Sequence, residues 1–145
     1  MPTAREVLKN KGSHVFSIGP QATAHEAALL MNEHKIGCLV VLDGGCIVGI
    51  FTERDMLRRV VARRLDPADA LVGDVMTREV VCCQPDATLD DARSVIMHRR
   101  IRHLPVVDDR GRLNGLISIG DLNAWQITGQ EIEIQYLHEY IHGRV

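Results

Sequence analysis

Aromatic residues, excess basic charge and long apolar runs are all scarce in this chain. Its 145 residues include one Trp, two Tyr and two Phe, so a bound base would find few rings to stack against. The formal net charge at pH 7 is -2 and the pI is about 6.4, which gives no support to nucleic-acid binding. No apolar run approaches the roughly 20 residues of a membrane span, and the N-terminus lacks the apolar core of a signal peptide. We therefore expect a soluble cytoplasmic protein that binds neither nucleic acid nor a membrane.

The four cysteines lack the spacing of a metal site or a redox pair. Cys82 and Cys83 are adjacent, Cys38 and Cys46 lie in another apolar stretch, and there is no C-x-x-C pair. Successive side chains of a strand point to opposite faces, so one of Cys82 and Cys83 is expected to be buried. We expect reduced, structural thiols and no bound metal.

The chain repeats itself at an offset of 65 residues, which becomes 66 after a turn. Three segments recur: 20–27 as 85–92, 36–43 as 101–108, and 49–55 as 115–121. A single extra residue at a turn is what a structural repeat tolerates. One copy of about 50 residues buries too little apolar surface to be stable alone, so the two copies should pack together with pseudo-two-fold symmetry.

Each copy has the pattern β-α-β-β-α, which predicts the α/β (α+β) fold class. A short strand, 15–17 or 80–83, precedes a helix that opens with a Thr-x-x-acid capping box. Two apolar strands joined by a turn follow, and a second helix starts at Thr52 or Ser118. The predicted organisation is an N-terminal helix or arm (1–14), the first motif (15–66), a connection (67–79), the second motif (80–127) and a C-terminal helix (128–145).

The start of the second helix in each copy carries binding chemistry. Thr52-Glu53-Arg54-Asp55 recurs as Ser118-Ile119-Gly120-Asp121. Free N–H groups at a helix N-terminus suit phosphate, and a carboxylate can accept hydrogen bonds from the vicinal hydroxyls of a ribose. The same pattern forms a capping box with no ligand at all, and the two roles are compatible.

Together these motifs resemble a tandem pair of cystathionine-β-synthase (CBS) motifs, the Bateman module of small stand-alone bacterial proteins. The resemblance rests on the doubled Gly-h-h-[Ser/Thr]-x-x-Asp pattern, on 102–106 (Arg-His-Leu-Pro-Val) and on 72–77 (Val-Gly-Asp-Val-Met-Thr), and it covers about residues 4–127. It implies a non-enzymatic regulatory module that binds an adenosine compound, such as AMP, ATP or NAD(H), in clefts between the motifs. It also implies a homodimer with an unidentified downstream protein.

The resemblance also implies three groups of nucleotide-binding residues. Ribose and phosphate contacts are expected from Thr52, Arg54, Asp55, Ser118, Gly120 and Asp121. Phosphate charge is expected to be met by Arg102, His103 and Lys11, unless these form a solvated basic surface. The base slot is expected among Ile18, Ile36, Val40, Ile101 and Pro105, which as apolar residues also fit an ordinary core, and a base or backbone can approach closely at Gly37 and Cys38. The sequence leaves open which aspartate shares a cleft with Arg102 and His103.

Two other functions fit parts of the sequence. A protein–protein adaptor or dimerisation module would need no ligand in its clefts. His138-Glu139-Tyr140-Ile141-His142 matches the H-E-x-x-H motif of zinc proteases, but only Gly143, Arg144 and Val145 follow it, so a third ligand is missing. We expect no catalytic residues.

Overall fold

Two copies of one strand–helix unit make up the part of the chain that this computed structural model describes, residues 2–12 and 14–126. In chain order the elements are α1 Ala4–Lys11, β1 Ser17–Ile18, α2 Ala24–His34, β2 Cys38–Asp43, β3 Cys46–Thr52, α3 Glu53–Asp55, a π-helix Met56–Val61, α4 Val72–Val75, α5 Leu89–Arg99, β4 His103–Val107, β5 Leu113–Ser118 and α6 Ile119–Gln126. None of these helices is long and apolar enough to cross a membrane. The expected C-terminal helix (128–145), with its H-E-x-x-H motif, lies outside the described residues.

The two copies build their hairpins in the same register. β2 pairs antiparallel with β3, and β4 pairs antiparallel with β5, so that Cys38 lies opposite Thr52 as His103 lies opposite Ser118. A β-bulge follows the fourth residue of both β2 and β4. The mixed α+β repeat is thereby confirmed, and the extra residue of the second copy lies in its hairpin turn.

The first strand of each copy is shorter than predicted. β1 is Ser17–Ile18 rather than 15–17, and it pairs parallel with β2. Of the expected strand over 80–83, only Cys83 pairs, through one parallel bridge to Val106. The prediction of that strand was wrong because Val80 and Val81 line a cavity between the copies instead of extending the sheet.

The N-caps expected at the start of α2 and α5 form through their threonine side chains. Thr23 Oγ1 accepts a hydrogen bond from Glu26 N at 3.1 Å, and Thr88 Oγ1 accepts one from Asp91 N at 3.1 Å. Each bond satisfies an N–H group that a helix N-terminus otherwise leaves without a partner. The reciprocal bond that completes a capping box forms instead at the second helix of each copy, which starts at Thr52 or Ser118.

The C-terminal end of α5 turns sharply. α5 ends at Arg99, and Arg100, which follows it, has a left-handed φ of 56° that turns the chain toward β4.

Two apolar clusters form the core, and each one includes a helix from the segment that precedes the other copy. Ala4, Val7 and Leu8 of α1, ahead of the first copy, are buried in the cluster of the second copy. Val72 and Val75 of α4, between the copies, are buried in the cluster of the first. The apolar area buried by this exchange ties the two copies into one folding unit.

Two glycines lie where α1 and the residues just after α4 contact the hairpins. A Cβ placed on Gly115 in β5 would lie 2.6 Å from Leu8 Cδ2. A Cβ on Gly49 in β3 would lie 2.5 Å from Met76 Sδ and 2.8 Å from the Thr77 carbonyl oxygen. A side chain at either position would therefore collide with these neighbours, so both positions require glycine.

We expect Gly49→Ala to lower the free energy of unfolding by about 1–3 kcal/mol, the usual cost of overpacking. Gly115→Ala should cost less, because the Leu8 side chain can rotate away whereas the Thr77 carbonyl belongs to the backbone. Urea unfolding followed by circular dichroism measures both. Gly19→Ala is the control, since its Cβ would meet nothing within 4 Å. Equal midpoints for Gly49→Ala and Gly19→Ala would contradict this packing.

Candidate functional site

A cavity of about 480 Å³ opens between the two copies. The end of β3 and the start of α3 form one wall, and the segment leading into β4 forms another. Its lining consists of Gly37, Ile50, Thr52, Glu53, Arg54, Asp55, Thr77, Glu79, Val80, Val81, Arg100, Ile101, Arg102 and His103. Asp55 thus shares this cavity with Arg102 and His103, and His103 also lies opposite Ser118 and close enough to Asp121 to feel its charge.

The cavity gathers about half of the predicted binding residues. It brings together Gly37, Thr52, Arg54, Asp55, Ile101, Arg102 and His103. The other apolar candidates are placed in the core: Ile18 and Ile36 pack against the first-copy cluster, and Cys38, Val40 and Pro105 are buried. Lys11, Ser118, Gly120 and Asp121 do not line this cavity either, and they lie around the helix start of the second copy.

Asp55 is the buried carboxylate of the site, 6% exposed. Its Oδ2 accepts hydrogen bonds from Thr52 N at 3.0 Å and Thr52 Oγ1 at 3.2 Å, and its own N–H donates to Thr52 Oγ1 at 3.2 Å. Its Oδ1 accepts a bond from Thr77 Oγ1 at 2.9 Å and lies 3.6 Å from Arg59 Nε. A carboxylate has about four lone-pair positions, so these three hydrogen bonds fix its orientation and leave one position, on Oδ1, for a further donor.

Side chains of both charges line the cavity. Positive charge comes from Arg54, Arg100 and Arg102, and negative charge from Glu53, Asp55 and Glu79. Glu53 folds over Gly37, where a Cβ would lie 3.0 Å from Glu53 Cδ. The close approach that the sequence predicts at Gly37 is therefore already used by this side chain.

His103 enters the cavity as a neutral imidazole near pH 7. Burial is the main cause that lowers its pKa, and the positive charges of Lys11 and Arg102 lower it further, while Asp121 opposes the shift. A neutral imidazole has one donor and one acceptor nitrogen. Its charge can therefore respond to an anion that arrives beside it.

The helix start of the second copy has a different partner. Ser118 N donates to Asp121 Oδ2 at 2.8 Å, and Asp121 N donates to Ser118 Oγ at 3.1 Å. Lys11 Nζ lies 2.6 Å from Asp121 Oδ2 and also donates to the Leu116 carbonyl at 2.8 Å. Burial raises the pKa of Asp121, but the Lys11 ammonium and the Ser118 bonds outweigh it and hold this pKa below its usual value.

Sequence reasoning missed several cavity residues, namely Ile50, Glu53, Thr77, Glu79, Val80, Val81 and Arg100. Thr77 could have been recognised from sequence, because it ends the 72–77 segment on which the family resemblance rests. Its backbone bonds with Ile50, at 2.8 and 3.0 Å, bring it to the edge of β3 beside Asp55. This position depends on the exchange of α4, which the sequence repeat does not reveal.

All four cysteines are free thiols, as expected. Burial, with the charge of Asp55, raises the pKa of Cys38 to about 12. Burial and the neighbouring Cys82 raise the pKa of Cys83 to about 11, and burial raises that of Cys82 as well. Cys82 and Cys83 are both half-buried rather than one inside and one outside. Thiols with raised pKa values are poor nucleophiles, which fits a structural role.

Comparison with known proteins identifies the family. A family model described as "CBS domain" matches residues 4–62 and 72–126. The chain belongs to the CBS-domain family. This CBS pair is 34% identical over 118 residues to CBS domain-containing protein YhcV of Bacillus subtilis, covering 81% of this chain and 83% of that protein. It is 33% identical over 150 residues to the mitochondrial CBS domain-containing protein CBSX3 of Arabidopsis thaliana, covering 97% and 72%.

Solved structures agree with this fold. A CBS-domain containing protein from Agrobacterium tumefaciens superimposes with a TM-score of 0.80 at 38% identity, covering 87% of this chain and all of that one. A CBS domain protein from Pyrobaculum aerophilum, complexed with AMP, superimposes with a TM-score of 0.76 at 25% identity, covering 90% and 95%. Inosine-5'-monophosphate dehydrogenase of Nitrosopumilus maritimus is 35% identical over 126 residues, but the match spans only 25% of that enzyme. The likeness to the enzyme is therefore confined to a minor part of its length.

The lowered pKa of His103 predicts a pH dependence of stability. In the unfolded chain a histidine titrates near 6.5, and folded His103 titrates below that value. Between the two pKa values the unfolded state binds more protons, so stability falls as the pH drops through 6.5 toward the folded pKa. His103→Gln removes this contribution, so its Tm should fall less than that of the parent protein between about pH 7.5 and 5.5.

The matched control is His98→Gln, since His98 is exposed on α5. Its Tm should follow the parent protein across the same pH range. Parallel pH profiles for the parent protein and His103→Gln would show that burial of His103 costs the folded state nothing.

Proposed function

We propose that the CBS pair is a cytoplasmic regulatory module that binds an adenine nucleotide in the cavity between its two copies. One observation carries the proposal: the cavity joins a helix start suited to ribose, Thr52–Asp55, to the basic residues Arg102 and His103 of the other copy. The AMP complex of the Pyrobaculum aerophilum relative supports this ligand class. AMP is the first candidate, and ATP and NAD(H) share its adenosine end.

Asp55 binds the ribose in this proposal. Its carboxylate is held by Thr52 and Thr77 before any ligand arrives, so little orientational freedom is lost on binding. Vicinal hydroxyls donate to such a carboxylate in dinucleotide sites generally. The N–H groups at the start of α3 add a partial positive charge beside it.

The base lies against aliphatic side chains. Among the described residues, the cavity lining offers Ile50, Val80, Val81 and Ile101, and its one ring is the His103 imidazole. Adenine would therefore be bound by apolar burial, at about 25 cal/mol per Å² of apolar area, rather than by ring stacking.

Arg102 and His103 receive the phosphate. A guanidinium fork bonds phosphate oxygens in pairs, and a phosphate beside His103 favours its protonated form. Glu53 and Glu79 line the same cavity, so their negative charge limits how many phosphates the site can accept. This balance favours a nucleoside monophosphate over a triphosphate.

The ligand regulates by linking the two copies. It contacts α3 of the first copy and the segment before β4 of the second, so binding stabilises one relative arrangement of the two. At a ligand concentration of 100 times Kd the stabilisation is about 2.7 kcal/mol. A downstream protein that distinguishes the two arrangements would read out the nucleotide.

The decisive experiment is isothermal titration of AMP, adenosine, ATP, NAD+, NADH and S-adenosylmethionine into the purified protein. Arg102→Gln should weaken AMP by about 10- to 100-fold, the effect of losing one charged hydrogen bond, and should leave adenosine unchanged. Asp55→Asn should weaken both, with circular dichroism to verify that it folds. Arg110→Gln, in the exposed β4–β5 turn, is the control. An equal loss of adenosine and AMP in Arg102→Gln would contradict the phosphate assignment.

A ligand-free adaptor or dimerisation module is the second candidate, supported by exposed apolar residues. Leu57 and Val61 of the π-helix are 61% and 57% exposed, and Leu65, just beyond it, is 42% exposed. In a homodimer, a second copy of the chain would cover these apolar residues. Folded protein that is dimeric by light scattering and silent to all six ligands would favour this candidate over the sensor.

A further inference from the structure

A second cavity, of about 620 Å³, lies where the turns of the two hairpins meet. One antiparallel bridge joins Cys46, at the start of β3, to Arg112, just before β5. The two residues hold equivalent places in the repeat, because the offset of 66 that relates Gly49 to Gly115 also relates Cys46 to Arg112. We call this space the turn cavity, and it is lined by His14, Val15, Leu42, Gly44, Gly45, Cys46, Arg110, Arg112 and Leu113.

The turn cavity is basic. Its polar side chains are the guanidinium groups of Arg110 and Arg112, the His14 imidazole and the Cys46 thiol. Among the described residues, no carboxylate lines it. The formal net charge of the chain is -2, so this positive charge is a local feature. A concave surface lined by one sign of charge attracts ions of the opposite sign.

The acidic side chains of the two turns leave both guanidinium groups available. Asp108 Oδ1 accepts hydrogen bonds from the backbone N–H groups of Arg110 and Arg112, both at 2.9 Å, so this oxygen holds the turn together. Within the part of the chain that the structure describes, neither guanidinium forms an ion pair. Asp43 pairs with Cys46 across the first hairpin, but it is exposed and does not line the cavity. Its charge opposes an anion that enters there.

The basic groups of the turn cavity come from two separate segments. His14 precedes the first copy, and its imidazole packs edge-on against Phe16, with 4.7 Å between the ring centroids. Arg110 and Arg112 belong to the hairpin turn of the second copy. Gly44 and Gly45 form the turn of the first hairpin, and a Cβ on either would meet nothing within 4 Å. The space in front of that turn is therefore open to a ligand.

We propose that the turn cavity binds a small molecule that carries two separate anionic groups, either phosphates or carboxylates. A guanidinium fork bonds the oxygens of both kinds of group in pairs, and two guanidiniums can meet two such groups. A volume of about 620 Å³ lies within the range of about 300–1,000 Å³ that is usual for small-molecule pockets. The inference does not depend on nucleotide binding, because no described residue lines both the turn cavity and the Asp55 cavity.

Cys46 can report on occupancy, because its exposed thiol lines the turn cavity. The measurement is the rate at which iodoacetamide, a neutral reagent, alkylates Cys46 at constant ionic strength, with the modified peptide quantified by mass spectrometry. Pyrophosphate, as the phosphate source, or citrate, as the carboxylate source, should slow this alkylation, and sodium chloride should not. The anion that protects Cys46 at the lower concentration identifies the chemistry of the ligand. AMP carries one phosphate group and should give no protection.

Two substitutions of opposite charge effect test the assignment. Arg112→Gln should raise the protecting concentration about 2- to 5-fold, the usual effect of one exposed charge pair, and Asp43→Asn should lower it. Arg99→Gln, which changes an exposed arginine of α5 outside the cavity, is the matched control and should leave protection unchanged. Protection is a ratio of two rates measured on one variant, so a change in the reactivity of the thiol itself cancels.

Three results would overturn the proposed site. The first is that neither pyrophosphate nor citrate protects Cys46 in the folded parent protein. The second is that AMP protects Cys46 as well as pyrophosphate does. The third is that Arg112→Gln and Arg99→Gln are protected at equal concentrations.

Discussion

The contact between each hairpin and a helix from outside its own copy is the constraint on which the rest of the structure depends. Leu8 presses on Gly115 of the second copy, and Met76 presses on Gly49 of the first. Each hairpin needs an apolar cover, because β4–β5 is a two-stranded sheet and β2–β3 gains only the two-residue β1, and such small sheets are marginal in water by themselves. Since that cover comes from a segment ahead of the other copy, neither copy folds around a complete core alone. The cavity between them is a result of this exchange.

The same exchange makes the two halves chemically unequal. α4 brings Thr77 to the edge of β3, whereas the longer α1 brings Lys11 to the edge of β5. Thr77 and Lys11 each donate hydrogen bonds to a strand carbonyl and to an aspartate carboxylate, so they occupy equivalent places in the two copies. They differ in charge, since Thr77 offers a neutral hydroxyl and Lys11 an ammonium, and the cation nearest Asp55 is Arg59 of its own copy. Duplication supplies two similar helix starts, and the segments that precede the copies determine which side chains surround each carboxylate.

The repeat, the helix N-caps and the hairpins could be predicted from sequence because each depends on neighbouring residues. Thr23 and Thr88 cap their helices through bonds that span three residues, and β2–β3 and β4–β5 are joined by short turns. The role of Val80 and Val81 could not be predicted, since an apolar pair suits a strand and a cavity wall equally well. Nor could the pairing of Lys11 with Asp121, which joins residues 110 positions apart. Such a contact depends on how α1 packs against the second copy, which the hydrophobic periodicity of α1 does not predict.

The Asp55 cavity lies at the contact between the two copies. There the helix start on one wall and the basic segment on the other belong to different copies. Free energy from a nucleotide that touches both walls therefore acts directly on the contact between the copies, which is the part of the fold that the exchanged helices also hold.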